Sequence, residues 1–301
     1  MDGSLACVQL LVDAKANVEA KNIDNVTALM LASSKGHTAG AQLLVDVKAN
    51  VEARDNNNNT ALMFASANGH TACAQLLIDA KANVEARDNN NKTALMAACA
   101  EGDTACTQLL IDVKANVEAR DDNNVTALMV AAFQGHTACA QLLVDVKADV
   151  EAKNQHDVTA LMCASARGHT ACAQLLLDVN ANVETTNSDT TALMLASARG
   201  QSACAQLLID ANADVDAKDE KGMTALTAAS ANGHTACLQL FLDAKADIEA
   251  KNKNNGTALL WASANGHTPC LQLLIDAKAY LEAKDQRGRT ALMLASGNGH
   301  T

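Results

Sequence analysis

The chain has 301 residues, a formal net charge of −11 and 49% apolar residues, which is a globular composition and excludes a disordered or strongly basic protein. Its aromatics are one Trp, one Tyr and three Phe, and it has one proline, so neither a ring-filled core nor a proline-rich linker fits and burial must fall to Leu, Ala, Met and Val. No apolar run reaches membrane-spanning length, no basic segment followed by an apolar stretch opens the chain, and the scattered Lys and Arg form no nucleic-acid face. These features predict no membrane insertion, no nucleic acid partner and a cytoplasmic location, with the nucleus left open.

The predicted elements recur. The triplet Thr-Ala-Leu begins at Thr27, Thr60, Thr93, Thr126, Thr159, Thr191, Thr224, Thr257 and Thr290, in steps of 33 residues broken once by a step of 32. In chain order, 1–21 reads as a partial repeat with a second helix and no first. Full repeats follow at 22–54, 55–87, 88–120, 121–153, 154–186, 187–218, 219–251 and 252–284, and 285–301 is a further partial repeat of one array spanning 1–301. The short step ends at Thr191, where TTNSDT lacks one residue of its counterparts, as a loop tolerates. Neither end carries the polar capping repeat a solenoid needs, so the array is expected to be a monomeric segment of a longer chain and to fray at both ends.

Within the repeat at 55–87, TALMFASANG predicts a short first helix that stops at Gly69. A second helix follows from about Thr71, with Thr or Ser at the matching place in eight repeats as its N-cap and Pro269 just after Thr268 in one of them. Helical spacing puts Cys73, Leu76, Leu77 and Ala80 on one face. The polar ANVEARDNNNN then predicts a turn with extended flanks. Two residues before each triplet stand Asn25, Asn58, Asn91, Asn124, Asp157, Asp189, Gly222, Asn255 and Gly288, all of types that tolerate positive φ, as a tight turn requires.

The triplet, the Ala at its sixth residue, the Gly-His pair, the Leu-Leu pair and the period together resemble the ankyrin repeat over essentially the whole chain. The resemblance implies an all-α repeat solenoid of stacked helix-turn-helix units joined by short β-hairpins or extended loops. Two departures stand out. The family's TPLH stretch has Ala for proline throughout and Met for histidine in seven copies, with Thr227 and Leu260 in the others, which leaves the triplet's Thr to satisfy the helix backbone alone. Where the family ends its second helix with glycine, this chain has Lys15, Lys48, Lys81, Lys114, Lys147, Asn180, Asn212, Lys245 and Lys278, each costing on the order of 1 kcal/mol if left-handed.

Cys7, Cys73, Cys106, Cys139, Cys172, Cys204, Cys237 and Cys270 form one column, where the resemblance implies a small buried apolar residue. Stacked helices lie roughly 8–10 Å apart, beyond the ~7 Å between Cα atoms that a disulfide spans. Unpaired thiols and a reducing compartment follow. His37, His70, His136, His169, His234, His267 and His300 form a second column, with Ser4, Asp103 and Gln201 in the remaining copies. One loop histidine and one inward cysteine per repeat cannot gather four ligands, so the column predicts a bond to nearby turn backbone and no metal. Asn25, Asn58, Asn91, Asn124 and Asn255 begin N-x-T triplets and are read as turn residues rather than glycosylation acceptors. An acidic column from Glu19 to Glu282 runs two residues before a basic one from Lys21 to Lys284, predicting two opposite-sign ladders that set register and solubility.

No nucleophile with a base, phosphate-cradling loop or paired carboxylates stands outside the repeat columns, so no catalytic residue and no cofactor is predicted. The resemblance implies binding of a protein partner, of unspecified identity, through hairpin tips and the concave inner-helix face. The matching tip residues are Asn56, Asn57, Asn89, Lys92, Asp122, Asn123 and His156, and the helix residues are Asn68, Glu101, Phe133, Gln134, Arg167 and Arg199. Phe133 with Arg167 and Arg199 is the best local candidate, being aromatic where other copies are small or polar. Trp261 and Phe64 share a column read as core filling. A non-catalytic interaction scaffold is the first reading; a mechanical or structural spacer and an adaptor segment of a larger multidomain protein stand beside it.

Overall fold

The computed structural model describes residues 3–300; the readings at Met1, at the Ser4 side chain and at Thr301 lie outside the described residues. Its contacts divide the chain into two compact units, 1–149 and 150–301. The first begins with α1 (Gly3–Asp13). Helix pairs follow: α2 (Ala28–Ser34) with α3 (Thr38–Asp46), α4 (Ala61–Ala67) with α5 (Thr71–Asp79), α6 (Ala94–Glu101) with α7 (Thr104–Asp112), and α8 (Ala127–Gln134) with α9 (Thr137–Asp145). The second holds α10 (Ala160–Arg167), α11 (Thr170–Asp178), β1 (Thr186–Asn187), β2 (Thr190–Thr191), α12 (Ala192–Ala198), α13 (Ser202–Asp210), α14 (Ala225–Asn232), α15 (Thr235–Asp243), α16 (Ala258–Ala264), α17 (Thr268–Asp276) and α18 (Ala291–Gly297). Helices this short are unstable in isolation. Within each unit every first helix packs on the next first helix and on its own second helix, and second helices stack likewise.

Each first helix starts where the sequence places it. Thr60 sits in extended backbone and its hydroxyl accepts from the N–H of Met63 at 3.4 Å, satisfying one orphan donor of the first turn. The Thr224 repeat differs: Thr227 Oγ1 accepts from the Thr224 N–H at 2.7 Å while Thr224 Oγ1 accepts from the Thr227 N–H, a reciprocal box. The expectation that the triplet's Thr acts alone is therefore corrected in that copy, and also in the first, where the Thr27 N–H donates to Met30 Sδ at 3.5 Å. Gly69, Gly102 and Gly168 close their helices at positive φ, as expected.

The second helices begin where predicted, but not with the predicted cap. Thr71 is the first helical residue, and the N-cap is His70, whose side chain makes no capping bond. Its imidazole turns instead to the preceding repeat, where Nε2–H donates to the Ser34 carbonyl at 3.2 Å. His136, His234 and His267 do the same to Ala100, Ala198 and Ala231 at 3.0–3.1 Å. A carbonyl only accepts, so Nε2 carries the proton in each. The ring lies so close to the preceding repeat's glycine that a Cβ on Gly36 would stand 2.7 Å from His70 Nδ1. Histidine and glycine columns are thus two halves of one joint. Asp103 replaces the histidine and caps α7 directly, accepting from the Cys106 N–H at 2.7 Å.

The core is a stripe of small and medium side chains. In the repeat at 55–87 Leu62, Met63, Ala65, Cys73, Ala74 and Leu77 are buried, whereas Leu76 and Ala80, predicted on that face, are only partly covered. Ala74 replaces them because the stripe is centred one residue over. Seven column cysteines are buried and in no disulfide, and Cys7 is exposed, a correction that follows from α1 having no first helix against it. Burial pushes the Cys99 thiol up to about 12, and those of Cys163 and Cys237 to about 11.

The turns follow the predicted dihedrals. All nine residues two before the triplets have positive φ, from 56° at Asn255 to 75° at Gly222, and the nine at the second-helix ends, including Lys48 and Lys81, are left-handed too. In most repeats three residues separate the turn's ends, as where Asp55 N–H donates to Asn59 O. The shortened repeat tightens this to two, Ser188 and Asp189, both at positive φ, and there β1 and β2 form an antiparallel ladder pairing Thr186 with Thr191.

The charge columns hold register through backbone. Glu19, Glu52 and Glu85 each accept from the N–H of the residue 31 further on, at 2.7 Å to Asn50, Asn83 and Asn116. Arg54 and Arg87 donate to the carbonyls of Arg87 and Arg120, both at 2.8 Å. The ladders therefore lock successive repeats by charge-assisted bonds to main chain, which corrects the picture of side-by-side opposite charges at these positions. On the opposite face Gln42, Gln75 and Gln108 cover the carboxylates of Asp46, Asp79 and Asp112, an arrangement the sequence reading missed.

Candidate functional site

The tips are built as cradles. Asp55 Oδ1 accepts from the N–H groups of Asn57 and Asn59 at 2.9 and 2.7 Å, and Asp88 and Asp121 repeat the arrangement in the next two turns. A carboxylate or amide oxygen held against two N–H groups fixes the loop and leaves the following residues at its crest.

The tip residues singled out in the sequence are exposed, yet several are already engaged. Asn56 Oδ1 accepts from Asn25 Nδ2 at 2.6 Å and its own amide donates to the Ile23 carbonyl; Asn89 stands in the same relation to Asn58 and to Asn56. Asp122 accepts from Asn91 Nδ2 at 2.5 Å. The backbone reinforces this, with Asn89 N–H donating to Asn57 O and Asp122 N–H to Asn90 O. Asn56, Asn57, Asn89 and Asp122 thus zip tip to tip, which accounts for the uniformity of these loops. Asn68 turns its amide back to the Phe64 carbonyl at 2.8 Å, tying the end of its own helix.

Lys92 and Glu101 are brought together. With Asn59, Ala67, Asp88 and Asp121 they line one cleft between the tips and the first helices of the 1–149 unit. Asn123 is exposed at the crest of the next turn, and Phe133 (42% exposed) and Gln134 end α8. In the 150–301 unit, His156 is exposed at its tip beside Gln155, Arg167 ends α10 and Arg199 caps α12.

The sequence reading missed a second cleft, in the 150–301 unit, lined by Asn254, Leu260, Trp261, Asp285, Arg287 and Arg289. Trp261 is half-buried on this inner face and not core filling, and Phe64, Val130 and Leu195 in its column are half-buried as well. The signal was present: in the seven first helices from α4 to α16 this column precedes a fully buried Ala, and a first helix flanked by a groove buries one side only. Arg289 binds Asp285 through Nε and Nη2 at 2.8 and 2.7 Å. The Arg289 N–H, then its guanidinium, hold the Asp285 carboxyl below the usual carboxylate range.

Among the described residues no group of three or more His, Cys, Asp or Glu comes together as metal ligands, and no helix is long and apolar enough to cross a membrane. A family model described as ankyrin repeats in three copies matches residues 1–88, 82–154, 146–219, 187–252 and 226–301. No curated protein matches the chain. The ankyrin repeat domain of human ASB11 is similar in structure, with a TM-score of 0.66 and 24% identity, covering 71% of this chain and 97% of that one. The likeness to that domain extends to the fold. With the family model matching along its whole length and the fold of stacked helix pairs beneath it, the chain belongs to the ankyrin-repeat family.

Proposed function

We propose that the chain is a non-catalytic scaffold that binds a protein partner across the inner face formed by its tips and first helices. Ankyrin repeats are generally protein–protein interaction modules, and the observation that supports a use for this face is the cleft in which Lys92 and Glu101 stand between tip and helix. The opposite face presents Gln–Asp pairs repeated with little variation, such as Gln75 with Asp79, which gives a partner nothing to distinguish one repeat from the next. Phe133, Gln134, Arg167 and Arg199, all exposed, extend the same reading into the helix ends. Partner capture by the 301-residue chain tests it. The double reversal Lys92→Glu with Glu101→Lys, and Phe133→Ala with Arg167→Ala, should each deplete captured proteins, while Gln75→Ala should not. An unchanged set for all three variants would refute the reading.

The spacer reading is favoured by one observation of its own, the tip-to-tip bonds of Asn56, Asn89 and Asp122. Residues so engaged act on the rigidity of the stack. A spacer predicts that disrupting these tips changes its mechanical resistance and leaves capture intact.

A further inference from the structure

The tips differ in charge. In the 1–149 unit the turns 22–26, 55–59, 88–92 and 121–125 carry Asp24, Asp55, Asp88, Asp121 and Asp122 against Lys92 alone. The turns 219–223, 252–256 and 285–289 carry Lys221, Lys253, Arg287 and Arg289 against Asp219, Glu220 and Asp285. Asp219 and Asp285 are spent inside their own turns, Asp219 Oδ1 accepting from the N–H groups of Lys221 and Met223, and Asp285 Oδ1 from those of Arg287 and Arg289. In a chain of net charge −11 these three tips together are net +1, with Glu220 beside Lys221, against −4 for the four tips of the 1–149 unit, and they form a weakly cationic strip. The tips are held in line by Lys253 N–H donating to Lys221 O and Gln286 N–H to Asn254 O, both at 2.9 Å.

Beneath the strip lies the only tryptophan of the chain. The indole of Trp261 is accommodated because residue 256 is glycine: a Cβ there would stand 2.9 Å from Trp261 Nε1. Arg289 is neutralised by Asp285, whereas Arg287 is exposed and makes no ion pair with a carboxylate among the described residues. The cleft therefore offers a half-buried aromatic surface beside a guanidinium, the side-chain types that dominate interface energetics.

We propose that the cleft formed by Trp261, Leu260 and Arg287 docks an acidic segment of a partner protein, a carboxylate meeting Arg287 and an apolar side chain lying on the indole. The choice of an acidic occupant follows from charge complementarity, since a basic segment would meet Lys221, Lys253 and Arg287 across the tips. This inference rests on the reading of the inner face as a binding surface and adds where on it, and for what chemistry.

The tryptophan reports its own occupancy. Three synthetic peptides are titrated into the 301-residue chain while its indole emission is followed: one alternating Glu and Leu, one with Gln for Glu, and one with Ser for Leu. The Glu-Leu peptide should shift the emission saturably, and the other two should bind roughly tenfold more weakly or less. Arg287→Gln, an exposed tip substitution, should weaken the Glu-Leu peptide by about the same factor. Raised salt should weaken it further. Equal binding of all three peptides, no saturable shift, or indifference to Arg287→Gln would overturn the proposal. If it falls while partner capture still depends on Lys92 and Glu101, the wider reading stands. If capture is also indifferent to those residues, both fall.

Discussion

Replacing Lys48, Lys81 and Lys114 by glycine should stabilise the chain. Each lysine has φ between 66° and 70°, and each side chain is exposed at the end of a second helix. The left-handed conformation costs an L residue roughly 1–2 kcal/mol. Glycine removes that strain but gains about 0.4–1 kcal/mol of unfolded-state entropy. The net gain is then about 0.5–1 kcal/mol per site, and the three sites together reach about 2 kcal/mol if additive. For a chain of 301 residues, with about 2.1 cal/mol/K of unfolding entropy per residue, such a gain raises Tm by roughly 3 °C. Thermal and urea unfolding of the triple glycine variant, beside a triple alanine variant, separates backbone from charge. Alanine removes the same three cations and keeps the strain, so it should leave Tm near the parent value or below it. Equal stabilisation by glycine and alanine would refute the reasoning and assign the effect to charge.

Ser66 has a buried hydroxyl with no hydrogen-bond partner, and Ala132 fills the same column in another repeat, so Ser66→Ala should stabilise by about 1 kcal/mol in denaturant unfolding. Gly102→Ala should be strongly destabilising, because its Cβ would stand 2.5 Å from His136 Nδ1. With His136→Ala in the background only the left-handed penalty of about 1 kcal/mol should remain, a coupling that a double-mutant cycle reads directly. A native-state thiol titration should label Cys7 promptly, while Cys73, Cys139 and Cys237 should wait for local opening. The raised thiols of Cys99, Cys163 and Cys237 hold their protons more tightly folded than unfolded. Their contribution is complete below the ordinary thiol value of 9.0 and is lost as pH climbs toward 11–12, so stability should fall with pH in that window.

The fold was legible because its signals are local and repeated. The turn column and the triplet's Thr each depend on a handful of adjacent residues, and both stand in the structure as the sequence places them. What escaped was whatever one repeat does to the next. The histidine column reads as bonding nearby turn backbone, yet the carbonyl His70 meets is Ser34 of the preceding repeat, and Glu52 looks like half of an ion pair until Asn83 presents its N–H. The same limit hid the Trp261 cleft, since a column that fills the core of a closed domain lines a groove in a stack. The N-cap error at Thr71 has a different origin. Threonine is a good capping residue anywhere, and only the bond made by His70 to the previous repeat shows why the cap is given to a side chain that does not cap.

Short helices that bury themselves only on adjacent repeats are the basis of the whole account, and hydrogen exchange on a Leu77→Ala variant tests it most directly. Leu77 is fully buried in α5, and its truncation should cost about 2–5 kcal/mol locally. Protection should collapse in α5, fall in α3 and α7, and stay at the parent level in α14 and α16. A uniform loss of protection from α3 through α16 would mean that the chain holds together as one cooperative body, and would contradict it.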